Sequence, residues 1–132
     1  KLNLLIGGPH VKSRLIQREG EPGQKSEVYL IIEDSDIWQE NFADTLKGLG
    51  EISLFAFLAD AQKAYHERQY DLVICDGTLQ NYGDGLAWAK ELFALGQLII
   101  FCSCGDNDFP GTKMDKCCFD RQKLREIAQQ MF

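Results

Sequence analysis

A parallel β-sheet covered by helices on both faces is the fold class predicted for residues 28–132, and three observations predict it. From Val28 onward, short apolar runs alternate with stretches of helical period, as expected when each strand is followed by a covering helix. The runs are continuous rather than alternating, which is the pattern of strands buried on both faces. Three of them end abruptly in polar residues: Glu33-Asp34, Asp76 and Ser103.

Each element can be justified in order. The first strand, Val28 to Ile32, stops at Glu33-Asp34. Ser35 or Asp36 can cap the helix that follows, where Trp38, Phe42, Leu46 and Leu49 recur every three or four residues and Gly48 and Gly50 close the run. Ile52 to Leu58 reads as the second strand, with Asp60 as the cap of a short helix through Arg68. Leu72 to Cys75 forms the third strand and delivers Asp76 at its end. A polar loop, Gly77 to Asp84, leads into a helix from Gly85 to Leu95 that Gly96 stops. Leu98 to Cys102 is the fourth strand, followed by Ser103. Gly105 to Gly111 then has loop composition and no helical period, so the alternation loses a helix here. A fifth strand near Lys113 to Phe119 and a last helix capped by Asp120 complete five strands with only four helices.

A chain of 132 residues suits one core domain. Residues 1–27 differ in kind and read as an N-terminal extension, a short hairpin or added edge strand joined by the breaker-rich Gly20-Glu21-Pro22-Gly23. With 45% hydrophobic and 26% charged residues, the chain has a core to bury, and disorder is a poor reading. The longest apolar runs fall far short of the ~20 residues of a membrane helix, and the chain does not open on a signal-peptide pattern. No membrane contact and a cytoplasmic location are the expectation. The net charge of −6 is concentrated after residue 27, where nine Lys/Arg face seventeen Asp/Glu, so direct binding of a nucleic acid's phosphate backbone is disfavoured. Five cysteines, an odd number beside apolar segments, fit a reducing compartment.

In an open parallel sheet the ligand site lies beyond the carboxyl ends of the strands. Glu33, Asp34 and Asp76 converge there, and a hard divalent cation such as Mg²⁺ is the usual answer to carboxylates that would otherwise repel one another. Beside such a cation a carboxylate like Asp76 can act as a nucleophile toward a phosphoryl donor, while a hydroxyl and a lysine hold the other phosphoryl oxygens.

These residues resemble the receiver domain of two-component response regulators, the chemotaxis-regulator-like family. The likeness covers 28–132 and rests on Leu30-Ile31-Ile32-Glu33-Asp34, on Tyr70 to Asp76 with Asp84-Gly85-Leu86 downstream, and on Ile99-Ile100-Phe101-Cys102-Ser103. It implies a three-layer, flavodoxin-like α/β fold with five parallel strands in the order 2-1-3-4-5, which right-handed crossovers also favour. It further implies that Asp76 is the phosphoacceptor and that Glu33, Asp34 and the Thr78 backbone carbonyl join it around Mg²⁺. Ser103 would sense the phosphoryl group, with Lys116 as the partner lysine. The implied partners are a histidine kinase or phosphotransfer protein and a downstream protein, with homodimer formation as a further option. Such a domain is a regulatory phosphoacceptor more than a turnover enzyme.

The departures bear on these roles. The loop after Asp76 lacks the family's proline and carries one extra residue before Asp84-Gly85. The family's Lys-Pro-Phe run is replaced by Lys116-Cys117-Cys118-Phe119; counting places Cys117 at the lysine position, and Lys116 fits only if one residue bulges out. The fourth helix is replaced by a loop, and the aromatic switch position falls on Lys113 or Met114.

Plainer and rival readings stand beside this one. Glu33-Asp34 can be a solvated helix start, Asp76 a turn aspartate and Lys116 an edge-strand lysine. Cys102, Cys104, Cys117 and Cys118 lie on neighbouring strands, but their spacing is not a common zinc pattern, so buried structural cysteines are expected. Asp34-Ser35-Asp36 also resembles the nucleophile motif of haloacid-dehalogenase-type phosphatases, with Asp34 attacking. A receiver-like interaction module that accepts no phosphate is the third reading. Phe109, apolar in a polar loop, is either a partner anchor or folds back over the sheet.

Overall fold

The computed structural model describes residues 2–4, 14–16 and 27–131. In chain order the elements are β1 (Leu2–Leu4), β2 (Arg14–Ile16), β3 (Glu27–Ile32), α1 (Asp36–Leu46), β4 (Gly50–Phe55), α2 (Leu58–Glu67), β5 (Leu72–Asp76), α3 (Asp84–Ala94), β6 (Ile99–Ser103), β7 (Thr112–Asp115), a 3₁₀ turn (Lys116–Cys118) and α4 (Arg121–Gln130). They build one sheet in the order β1-β2-β4-β3-β5-β6-β7. The five strands from β3 to β7 are parallel to one another and follow the order 2-1-3-4-5. β1 and β2 form an antiparallel pair, and β2 adds antiparallel to the free edge of β4. The Gly20 to Gly23 joint lies outside the described residues.

Alternation along the strands sends successive side chains to opposite layers. Tyr29, Ile31, Ile52, Leu54, Leu72, Ile74, Ile100 and Cys102 face Phe42 and Leu46 of α1 and Leu124 and Ala128 of α4. Leu30, Ile32, Val73, Cys75, Ile99 and Phe101 face Ala61 of α2 and Trp88, Ala89 and Leu92 of α3. Both layers are apolar, which is why the runs read as continuous. The first and last helices are tied directly: Arg125 Nη1 donates to the carbonyls of Thr45 and Lys47, both at 2.9 Å, where the end of α1 leaves acceptors without helical partners.

The stretch expected to lack a helix does lack one. Residues 104–111 run as an irregular loop from β6 to β7, and the pairing across them is still parallel. Phe109 fills the space: it is buried, stacks on Phe101 at 5.2 Å between ring centroids and meets Phe93 of α3 edge-on at 5.6 Å. The reading of Phe109 as a partner anchor is therefore corrected, since its ring is spent inside its own domain. Three boundaries also differ. The second strand, expected over Ile52 to Leu58, is β4 at Gly50–Phe55, because Leu58 already opens α2. β7 ends at Asp115, because that carboxylate accepts the Cys117 N–H at 2.8 Å and turns the chain into the 3₁₀ segment. Asp60 lies in the first turn of α2 and does not cap it; Gln80 serves that end instead, accepting from Leu58 N at 2.8 Å and donating to Ala56 O at 2.8 Å. Among the described residues no helix is long and apolar enough to cross a membrane.

Candidate functional site

The site is built where β3, β5 and β6 end. Glu33 leaves β3 with its N–H bonded to Phe55 O at 2.9 Å and its carbonyl accepting from Gln39 Nε2 of α1 at 2.7 Å, so its backbone is fixed from both sides. Its side chain is fully buried. Asp34, next in line, is exposed, and Ser35 caps α1 through its hydroxyl, which accepts from Trp38 N. Asp36 is the first residue of α1. From β5 comes Asp76, whose Oδ1 accepts from Gly77 N at 2.9 Å. One carboxylate oxygen from each of Glu33, Asp34 and Asp76 falls within 4.8 Å of the others.

Lys116 completes the group. The 3₁₀ turn supplies the bulge that its placement required, and Lys116, not Cys117, reaches the carboxylates. Its ammonium donates to Asp76 Oδ1 at 3.0 Å and to Glu33 Oε1. It also sits 5.1 Å from the centroid of the Trp38 ring, a cation–π distance. Trp38 in turn packs on Phe42 and Phe119. The sequence reading missed this role for Trp38, and its position one helical turn past Asp34 was the available signal.

Burial and charge pull the two buried partners in different ways. Burial pushes the Glu33 carboxyl up to about 8, because desolvation and the nearby Asp76 outweigh the attraction of Lys116. For Lys116, burial acts downward, but two carboxylates against one ammonium win and its pKa rises. The Glu33 direction reports burial of a carboxyl, and the Lys116 direction reports an ammonium held between two carboxylates. Among the described residues Glu33 Oε2 is buried with no hydrogen-bond partner, so one acceptor there is left unsatisfied by them.

The loop after Asp76 is organised by one side chain. Asp84 accepts from the backbone N–H groups of Leu79, Gln80 and Asn81 at 2.8 to 3.1 Å, and from that of Gly85 at 2.8 Å. Burial would raise its pKa, but these four donors outweigh that and lower it. Gly85 is required by contact: a Cβ there would lie 1.8 Å from the Asp76 carbonyl oxygen. These bonds hold the loop in the absence of the family's proline. Thr78 is exposed within it, its hydroxyl accepting from Gly83 N at 3.2 Å. Ser103 ends β6, with Oγ 3.1 Å from where a Cβ on Gly77 would stand, and so borders the residue that follows Asp76.

The expected burial of the cysteines needs correction. Cys75 and Cys102 are buried, whereas Cys104, Cys117 and Cys118 are exposed. The exposed three follow the ends of β6 and β7, where the apolar runs that suggested burial have already stopped.

No protein-family model and no curated protein sequence matches the chain. Solved structures do. A response regulator receiver domain (CheY-like) from Methylobacillus flagellatus superposes with a TM-score of 0.68 at 28% identity, over 82% of this chain and 100% of that one. This chain carries a receiver domain. Two further receiver-domain likenesses, each under 25% identical, speak for the fold alone. They are the BeF3-activated DrrB receiver domain, from the Thermotoga maritima regulator (TM-score 0.66, 14% identity, 81% and 97% covered), and HP1043, an orphan response regulator of H. pylori (TM-score 0.65, 15% identity, 80% and 96% covered). The receiver domain differs from the family pattern in the loop that stands for the fourth helix.

Proposed function

We propose that this receiver domain accepts a phosphoryl group on Asp76 from a histidine kinase or phosphotransfer protein and passes the signal on by contact with a downstream protein. The observation that carries the reading is the Lys116 ammonium held between Asp76 and Glu33, with Asp34 alongside. Hard oxygen donors and an unsatisfied buried oxygen, Glu33 Oε2, fit a Mg²⁺ ion held by Glu33, Asp34, Asp76 and the Thr78 carbonyl. When bound, Mg²⁺ supplies positive charge against the phosphoryl oxygens.

The chain's own residues do the rest. A free Asp76 carboxylate oxygen attacks phosphorus, the bond from phosphorus to the donor nitrogen breaks, and the donor imidazole leaves carrying a proton. Lys116 is already within hydrogen-bond reach of Asp76 and is placed to donate to a phosphoryl oxygen. The Ser103 hydroxyl borders Gly77 and can turn to the same group. Added charge of about −1.5 to −2 then redistributes the bonds that Lys116 makes. The acidic body favours protein over nucleic acid as the recipient, and a homodimer is one form that output can take.

Incubating the full chain with acetyl phosphate and Mg²⁺ and measuring intact mass tests this. The expected result is one added phosphoryl group in the parent and none in Asp76→Asn. A label that survives Asp76→Asn and is lost in Asp34→Asn favours the phosphatase reading. No label under conditions that modify a control receiver favours the interaction module.

A further inference from the structure

A second cluster of ligating side chains lies apart from the carboxylate group. Cys104 follows β6, Asp115 ends β7 and Cys117 sits in the 3₁₀ turn, yet their Sγ and carboxylate oxygen atoms fall within 4.8 Å of one another. The fold creates this proximity. Parallel pairing sets Asp115 beside Ser103, the residue that precedes Cys104, at the same end of the sheet. Asp115 Oδ1 then accepts the Cys117 N–H at 2.8 Å and turns the second sulfur back toward the first. All three residues are exposed, so an ion can reach them from solvent. We propose that Cys104, Cys117 and Asp115 bind a borderline-soft divalent cation of the zinc type, with water in the fourth position.

The donor set argues for that class of ion. Two thiolates with one carboxylate suit Zn²⁺, whereas Mg²⁺ prefers oxygen donors alone, so the two clusters select different cations. The two sulfurs and a carboxylate oxygen of Asp115 are already within 4.8 Å of one another, close enough to share one ion. Binding would release the thiol protons to solvent and hold both sulfurs by coordination. It would also tie the start of the 104–111 loop to the turn bearing Lys116, since Lys116 lies between the ligands Asp115 and Cys117 in the chain. The inference stands whether or not Asp76 is phosphorylated.

The test uses the reduced full chain, stripped with chelator and titrated with Co²⁺ as the probe and Zn²⁺ as the competitor. One equivalent of Co²⁺ should give a thiolate-to-metal charge-transfer band that Zn²⁺ abolishes and Mg²⁺ leaves unchanged. Cys104→Ser and Cys117→Ser should each weaken Zn²⁺ binding at least tenfold, roughly the smaller effect seen even for outer-shell groups. Cys118→Ser and Asp76→Asn should bind like the parent. Because a variant can fail to fold, the parent chain is also alkylated with and without Zn²⁺: the ion should protect Cys104 and Cys117 and leave Cys118 reactive. The proposal is overturned by the absence of a charge-transfer band at saturating Co²⁺, by a band that survives either serine variant, or by Zn²⁺ that fails to protect the two thiols.

Discussion

The chain passes from β5 to β6 through a full helix and from β6 to β7 through residues 104–111 with no helix, and both strand pairs come out parallel. Parallel neighbours usually need a crossover of a dozen residues or more. Both connections cover the same distance, from Asp76 back to the level of Val73 and from Ser103 back to the level of Ile100. That is three residues, about 10 Å of strand rise, and residues 104–111 span it without a helix. What remains is the cover that a helix would have given the sheet. Phe109 provides it, as Trp88 and Leu92 do on the neighbouring ground. The requirement at this edge is thus an apolar lid, and helical backbone is one of two ways to supply it.

The largest effect should come from removing that lid. Phe109→Ala should cost about 3–5 kcal/mol in urea unfolding, comparable with Leu92→Ala in α3, which leaves a cavity under a true helix. A loss below about 1 kcal/mol would mean that the loop does not cover the sheet.

The two connections also meet at the acidic pocket, since Asp76 precedes the first and Lys116 follows the second. Glu33 lies between them, and its folded pKa of about 8 stands above its ordinary 4.5. The folded state then keeps a proton that the unfolded chain releases, so stability is full below pH 4.5 and declines as pH rises through 8. Unfolding midpoints measured across that window without divalent cations should fall toward alkaline pH. Glu33→Gln should flatten the slope, and added Mg²⁺ should reduce it in the parent.

Smaller effects separate the loops themselves. Asp84→Ala removes the acceptor for four backbone donors after β5 and should cost about 1–2 kcal/mol, the range for losing a strong cap. Lys90→Ala breaks the 2.7 Å ion pair between α3 and Asp108 of the short loop, and both partners are exposed. Its thermal midpoint should match the parent's, because the loop is held by Phe109 and not by charge.

The sheet was legible because its strands announce themselves as apolar runs, and Glu33, Asp34 and Asp76 were placed by nothing more than where those runs stop. The rest depended on contacts between distant segments. Whether Lys116 or Cys117 faced the pocket turned on a bulge that Asp115 creates by bonding the Cys117 N–H. The start of α2 is served by Gln80 from another loop, so no local pattern could replace Asp60 as the expected cap. Phe109 offered two fates, and only the vacancy over Phe101 decides between them. Cys104, Cys117 and Cys118 misled because adjacency to an apolar run is not membership of it.

The bond from Arg125 to the end of α1 has a consequence for the order in which the polypeptide is made. The layer built by α2, α3 and Phe109 is complete once residue 111 has emerged, so one side of the sheet can close while synthesis continues. The other side must wait. Leu124 and Ala128 cover Ile100, Cys102 and Met114, and the carbonyls of Thr45 and Lys47 gain their guanidinium only when residue 125 arrives. Until then the nascent chain presents a one-sided, apolar surface at the ribosome exit, which is the stage at which a chaperone has something to hold.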